Sequence, residues 1–239
     1  FYRKQKDDFV KGADVGFLTG QEARGQKFYD TAGNERECLE LLKNDYGISA
    51  VRLRVWVNPR GGSCDKNEVL AIIDRVNTYW QENNRPEVRP FWDNAAYHTG
   101  NMEVYSLVGN EDQLAYTKRW AEHNNYCGAT SNNKEEWVYS YGEHPQYVLF
   151  GDWQICFQTY ADLYNLEPDT IKIARAREVM EYQMSTPNND YWWWADGLYM
   201  VMPVMTKLYN ITGNQLYLDK LYEYFKYAQS IMYDEETGL

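Results

Sequence analysis

Apolar and polar positions change rhythm near residue 67 of this 239-residue chain. Before that point two β-type runs flank a helix. Phe9-Val10-Lys11-Gly12-Ala13-Asp14-Val15 is an apolar run closed by a Gly-rich turn. Residues 35–44 place Cys38, Leu41 and Leu42 at helical spacing until Tyr46-Gly47 stops them. Residues 48–57 (ISAVRLRVWV) are β-branched and alternating, and end at Asn58-Pro59. Strand, helix and strand make a βαβ unit, the building block of a parallel sheet or β/α barrel. One such unit cannot bury both faces of its two strands.

Beyond residue 67 the pattern is helical. Residues 69–83 carry Ile72, Val76, Tyr79 and Trp80 on one side. Further helices are predicted over 94–108, 112–124, 152–166, 170–184, 196–209 and 216–233, with a long polar, aromatic loop over 126–146. The ends Leu107-Val108-Gly109-Asn110, Leu163-Tyr164-Asn165-Leu166 and Leu208-Tyr209-Asn210-Ile211-Thr212-Gly213-Asn214 each close an apolar helix, and a helix richer in charge and Tyr follows at once. Recurring hairpins of an apolar inner and an amphipathic outer helix predict a toroid or solenoid. The fold class expected is therefore mainly α, with a βαβ piece over 1–66 and a helical domain over 67–239.

In a toroid the inner helices begin together at one face, so their first residues line a funnel. These starts read Trp92-Asp93-Asn94-Ala95-Ala96-Tyr97-His98, Phe150-Gly151-Asp152-Trp153-Gln154 and Trp192-Trp193-Trp194-Ala195-Asp196-Gly197-Leu198-Tyr199. Each carries an acid beside aromatic rings. Two carboxylates converging in an aromatic cleft suit glycosidic chemistry, in which one group gives a proton and another positions or deprotonates water. An Asp at a helix start is also the favoured cap. Asp93 is read as a cap, and capping stays open for Asp152. Asp196 stands out because the apolar run before it is expected to desolvate its carboxylate and raise its pKa. His98 is open to two readings, a substrate contact or a satisfied core histidine.

Composition narrows the partners. Nine Trp and 22 Tyr crowd the C-terminal two-thirds, and such rings match the C–H faces of sugars as well as they fill a helical core. A net charge of −11 argues against nucleic acid or an anionic membrane as partner, while a local cation still leaves acidic sugars open. Cys38, Cys64, Cys127 and Cys156 show neither close pairing nor metal-like spacing, and His98, His123 and His144 are scattered, so free thiols and no metal are expected. No signal peptide is expected from these residues, and none of them forms a run of about 18 apolar residues. Cytoplasm or periplasm of a bacterium is the expected location.

The segments FWDNAAYHTGNMEVY, FGDWQICFQTYADLY and YWWWADGLYMVMPVM, in this order, closely resemble the first half of the unsaturated rhamnogalacturonyl hydrolases, glycoside hydrolase family 105. The resemblance covers roughly residues 67–239 and implies a partial (α/α)6 barrel that needs no metal or other cofactor. It implies removal of a Δ4,5-unsaturated galacturonyl residue left by pectin lyases. The vinyl ether double bond is protonated, water adds, and the hemiketal collapses to release the sugar. By the same resemblance Asp196 is the general acid/base and Asp152 its partner. His98, Trp92, Tyr97, Trp153, the Trp192-Trp193-Trp194 cluster and Tyr199 would line the subsite.

The N-terminal stretch, from DFVKGADVGFLTG to RLRVWVNPRGGSC, resembles the start of arabinogalactan endo-β-1,4-galactanase, glycoside hydrolase family 53, with Arg54 matching an active-site-flanking arginine. That family is a (β/α)8 barrel with catalytic glutamates on later strands, so no galactanase activity is expected of this piece. Both resemblances are partial within the 239 residues, and a fusion, a fragment or a truncated reading would each account for that. An open barrel edge would offer a face for self-association. The leading expectation is a pectin-fragment glycosidase. Its alternatives are a truncated, non-catalytic carbohydrate-binding protein and, by ancestry of the first part, an endo-galactanase.

Overall fold

The computed structural model describes residues 12–16, 18–48, 50–52 and 66–234. Arg54 and Cys64 lie outside them. The chain divides into two units after Tyr79.

In the first unit, β1 (Gly12–Asp14) and β4 (Ala50–Arg52) pair in parallel, in the register Gly12↔Ala50, Ala13↔Val51 and Asp14↔Arg52. This is the pairing expected of the two β-type runs. Between them lie α1 (Leu18–Ala23), an antiparallel ribbon of β2 (Phe28–Tyr29) and β3 (Glu35–Arg36), and α2 (Cys38–Asn44). The predicted helix starts three residues late because Glu35 and Arg36 are drawn into the ribbon. Its turn is closed by the Asp30 carboxylate, which accepts from the amides of Ala32 at 2.9 Å and Asn34 at 2.8 Å. Glu37 then caps α2, accepting from the Glu40 amide at 2.7 Å. The division between units falls inside α3 (Lys66–Asn83).

The second unit is built of hairpins. Helices α4 (Trp92–Val108), α6 (Cys156–Leu166) and α8 (Ala195–Thr212) pack on one another in sequence as an inner row. Each also packs on the helix that follows it: α5 (Glu111–His123), α7 (Ile171–Ser185) and α9 (Leu216–Met232). Glycine ends the inner helix of the first and third hairpins, and an Asn or Asp side chain starts the outer helix of all three. Gly109 and Gly213 end α4 and α8 in the left-handed region, at φ 67° and 69°, where a Cβ is costly. Asn110, Asp169 and Asn214 then accept from the amide two residues on, at 3.0, 3.1 and 3.1 Å, and start the outer helices. The core lies between the two rows, where Trp120, Tyr160, Trp192, Tyr217 and Tyr224 are fully buried. Each contributes roughly 2–3 kcal/mol by leaving water.

The helix predicted from Asp152 begins instead at Cys156. Gly151–Trp153 forms a separate 3₁₀ turn, tied by Gln154 and Ile155 amides to the Gly151 carbonyl. Cys38, Cys127 and Cys156 carry free thiols. No helix among the described residues is long and apolar enough to cross a membrane.

Candidate active site

Asp152 sits in the 3₁₀ turn that leads into α6, and Asp196 in the first turn of α8. Asp152 is only 4% exposed, while Asp196 is exposed. Burial first, and then the charge of Asp196, push the Asp152 carboxyl up from 3.8 to about 6. The desolvated acid is thus Asp152, not the one that follows the tryptophan run. Neither acid caps a helix: the cap positions are Ile155 and Trp194, and no side chain bonds the first-turn amides there. Neither carboxylate is therefore taken up by a helix cap. Asp93, read as a cap, is not one: Phe91 holds the cap position of α4 without a side-chain bond, and Asp93 lies inside the first turn, accepting from the Asn94 amide at 2.9 Å and pairing with Arg89 at 3.2 Å.

The three tryptophans part company because they leave a loop and enter a helix. Trp192 is buried edge-on to Tyr224, with centroids 5.2 Å apart. Trp193 is 53% exposed. Trp194 turns across to stack on Phe150, at 4.6 Å and 8°. Its indole lies against Gly151 and Gly197, the neighbours of the two acids, and a Cβ on either would stand 3.3 Å from it. Trp153 is an anchor of the turn, its Nε1 donating to the Gly142 carbonyl at 3.1 Å and its ring meeting Phe91 edge-on at 4.8 Å.

Trp92 and Tyr199 are exposed, Trp92 on the first turn of α4 and Tyr199 one turn beyond Asp196. Tyr97 and His98 belong elsewhere. Tyr97 stacks on Trp80 at 4.6 Å, and burial lifts its phenol to about 12. His98 is 2% exposed, stacks on Trp120 at 4.0 Å, and places Nδ1 3.0 Å from Thr117 Oγ1. Burial lowers it to about 3, so it is neutral in its stack between α4 and α5. Its surroundings are those of a satisfied core histidine.

The loop over 126–146 supplies what the sequence reading passed over. Tyr139 donates to the Tyr191 carbonyl at 2.7 Å, and its ring lies 5.1 Å from Phe150. Burial, with smaller contributions from Asp190 and Asp152, raises its phenol above the ordinary value. Tyr141 meets Phe150 edge-on at 5.9 Å and is otherwise open. The density of Tyr and Trp in WVYSYGEH was the available signal. No group of three or more His, Cys, Asp or Glu that could hold a metal is formed among the described residues.

The family model described as Glycosyl Hydrolase Family 88 matches residues 66–239, and the chain belongs to that family. The three motifs similar to family 105 fall inside this match. A model for glycosyl hydrolase family 53 matches residues 10–79. Among solved structures, a family 88 glycosyl hydrolase from Bacteroides vulgatus is 66% identical with a TM-score of 0.71, over 72% of this chain and 50% of that one. A protein described as a polysaccharide lyase is 72% identical with a TM-score of 0.70, over 72% of this chain and 49% of that one. An endo-beta-1,4-galactanase of Bacillus subtilis is 26% identical over 122 residues, 42% of this chain and 28% of the galactanase. The chain thus spans half or less of each of these proteins.

Proposed function

We propose that the chain is a glycosidase of pectin breakdown that hydrates the double bond of an unsaturated galacturonyl residue linked to rhamnose. The chemistry is assigned to residues 67–239, with residues 1–66 as a galactanase-like piece. One observation carries the reading: a buried carboxyl, Asp152, raised to about 6 beside a second acid, Asp196, among aromatic rings. Burial, with the charge of Asp196, lets Asp152 hold its proton to a higher pH than an exposed Asp would. Asp152 keeps that proton, and Asp196, exposed on α8, meets the substrate and passes it on. The proton goes to the vinyl ether, water adds and gives its own proton back to the pair, and the hemiketal collapses to release the sugar. Trp193, Tyr199 and Trp92 offer open ring faces to an oligosaccharide. Membership of family 88 supports the glycosidic class, and the three segments that resemble family 105 support the unsaturated substrate.

The test incubates the full chain with an unsaturated rhamnogalacturonan disaccharide and follows loss of the double-bond absorbance. Turnover is expected, with Asp196→Asn and Asp152→Asn each slower by roughly 10²–10⁴-fold. A folded protein that binds the disaccharide calorimetrically without turnover, unaffected by Asp196→Asn, would instead make it a non-catalytic sugar-binding protein.

A further inference from the structure

Helix α8 contains Pro203 in its interior. A proline has no N–H for the carbonyl four residues back, which here is that of Tyr199. A buried helical carbonyl left without a donor is costly. The donor comes from another helix. Gln158 on α6, 3% exposed, places its Nε2 2.9 Å from the carbonyl of Tyr199 and 2.9 Å from that of Met200. One amide group thus spends both hydrogens across the α6–α8 contact. The tie lies close to both acids: α6 is preceded by the turn that holds Asp152, and Tyr199 is one turn beyond Asp196.

We propose that Gln158 is a positioning residue, which sets the separation of Asp152 and Asp196 by binding α6 to the Tyr199 carbonyl that Pro203 leaves open and to the adjacent carbonyl of Met200. The inference rests on the acid-pair reading above. A hydrophobic contact between two helices can slide by a fraction of an ångström. Two hydrogen bonds from one planar amide resist such sliding, and a misplacement of about 1 Å costs about 10²-fold in rate.

Two variants of the full chain test it: Gln158→Met, which keeps shape and loses the donors, and Gln158→Met/Pro203→Ala, which returns an N–H to the Tyr199 carbonyl. Carbon-detected NMR reads the Asp152 titration without substrate, assigned by Asp152→Asn, with Asp196 as the titratable group whose charge acts on it. In Gln158→Met the Asp152 midpoint is expected to fall by about one unit as water enters a looser pair. Its kcat is expected to fall about 10²-fold with KM little changed. In the double variant the melting temperature recovers, while the midpoint and kcat do not. An unchanged midpoint in Gln158→Met overturns the proposal. So does a return of midpoint and kcat in the double variant, because Gln158 would then only satisfy a carbonyl. Should Gln158→Met fail to fold, the double variant carries the test alone. If the wild-type chain shows no turnover, the functional reading fails, and the titration still decides this one.

Discussion

Trp194 fills the space beside Gly151: a Cβ built there would lie 3.3 Å from Trp194 Cζ2, 3.4 Å from Val201 Cγ2 and 3.6 Å from Met200 Sδ. Gly151 precedes Asp152 and Gly197 follows Asp196, so one indole is seated against the neighbours of both acids. Gly151→Ala must shift that ring by a few tenths of an ångström against its stack on Phe150. The expected cost is about 1–2 kcal/mol of stability, with a loss of activity on the unsaturated disaccharide. Gly197→Ala meets the same ring at 3.3 Å but lies within a helix, where Ala gains about 1 kcal/mol over Gly. It should be near neutral in denaturant titration and still lose activity.

Gly128 is held harder. A Cβ on it would stand 2.1 Å from the Trp153 carbonyl oxygen, which belongs to the turn bearing Asp152. Backbone cannot yield as a side chain can. Gly128→Ala is expected to cost at least about 3 kcal/mol, read as a fall in urea midpoint, with a larger loss of activity than any other glycine substitution here.

Asp152 should destabilise the folded state at neutral pH. Its folded value, about 6, lies above the ordinary 3.8, so the folded state binds the proton more tightly. Its contribution to stability is whole below about 4 and is lost as pH rises through 6. Asp152→Asn is therefore expected to raise stability at pH 7 by up to on the order of 3 kcal/mol while it removes activity. At pH 4 the gain should vanish. Urea denaturation of both proteins at the two pH values measures this.

Much of the fold was written in local patterns. The closed run at 9–15 and the alternation in residues 48–57 predicted the strands that pair in parallel at 12–14 and 50–52, and Gly109-Asn110 and Gly213-Asn214 marked hairpins that the structure closes with left-handed glycines and Asn side chains accepting from the next helix's amides. The two acids were legible too, as acids at helix starts. Which one is buried was not. The surroundings of Asp152 depend on where Trp194 goes after a loop, since its ring packs on Phe150 and against Gly151, the residues just before Asp152. The 3₁₀ turn at 151–153 and the Gln158 tie are likewise tertiary. No local periodicity encodes a donor on α6 for a carbonyl on α8.

His98 sets the acid side of the stability curve. Its folded value, about 3, lies below the ordinary 6.5, so the unfolded chain binds the proton more readily. The stability it contributes is present above about 6.5 and falls away as pH drops toward 3. His98→Gln keeps a partner for Thr117 but cannot take up a proton, and should flatten that fall. Thermal melts from pH 7 to pH 4 are expected to show a steeper decline in the wild type than in the variant.

The most direct measurement is the pH dependence of kcat/KM on the unsaturated rhamnogalacturonan disaccharide, followed by loss of the double-bond absorbance. If the proton kept on Asp152 beside Asp196 does the chemistry, activity is highest below about pH 6 and falls tenfold per unit above it. Asp152→Asn should remove that limb together with most of the rate. A profile that stays flat through pH 6, or full activity in Asp152→Asn, would contradict the account.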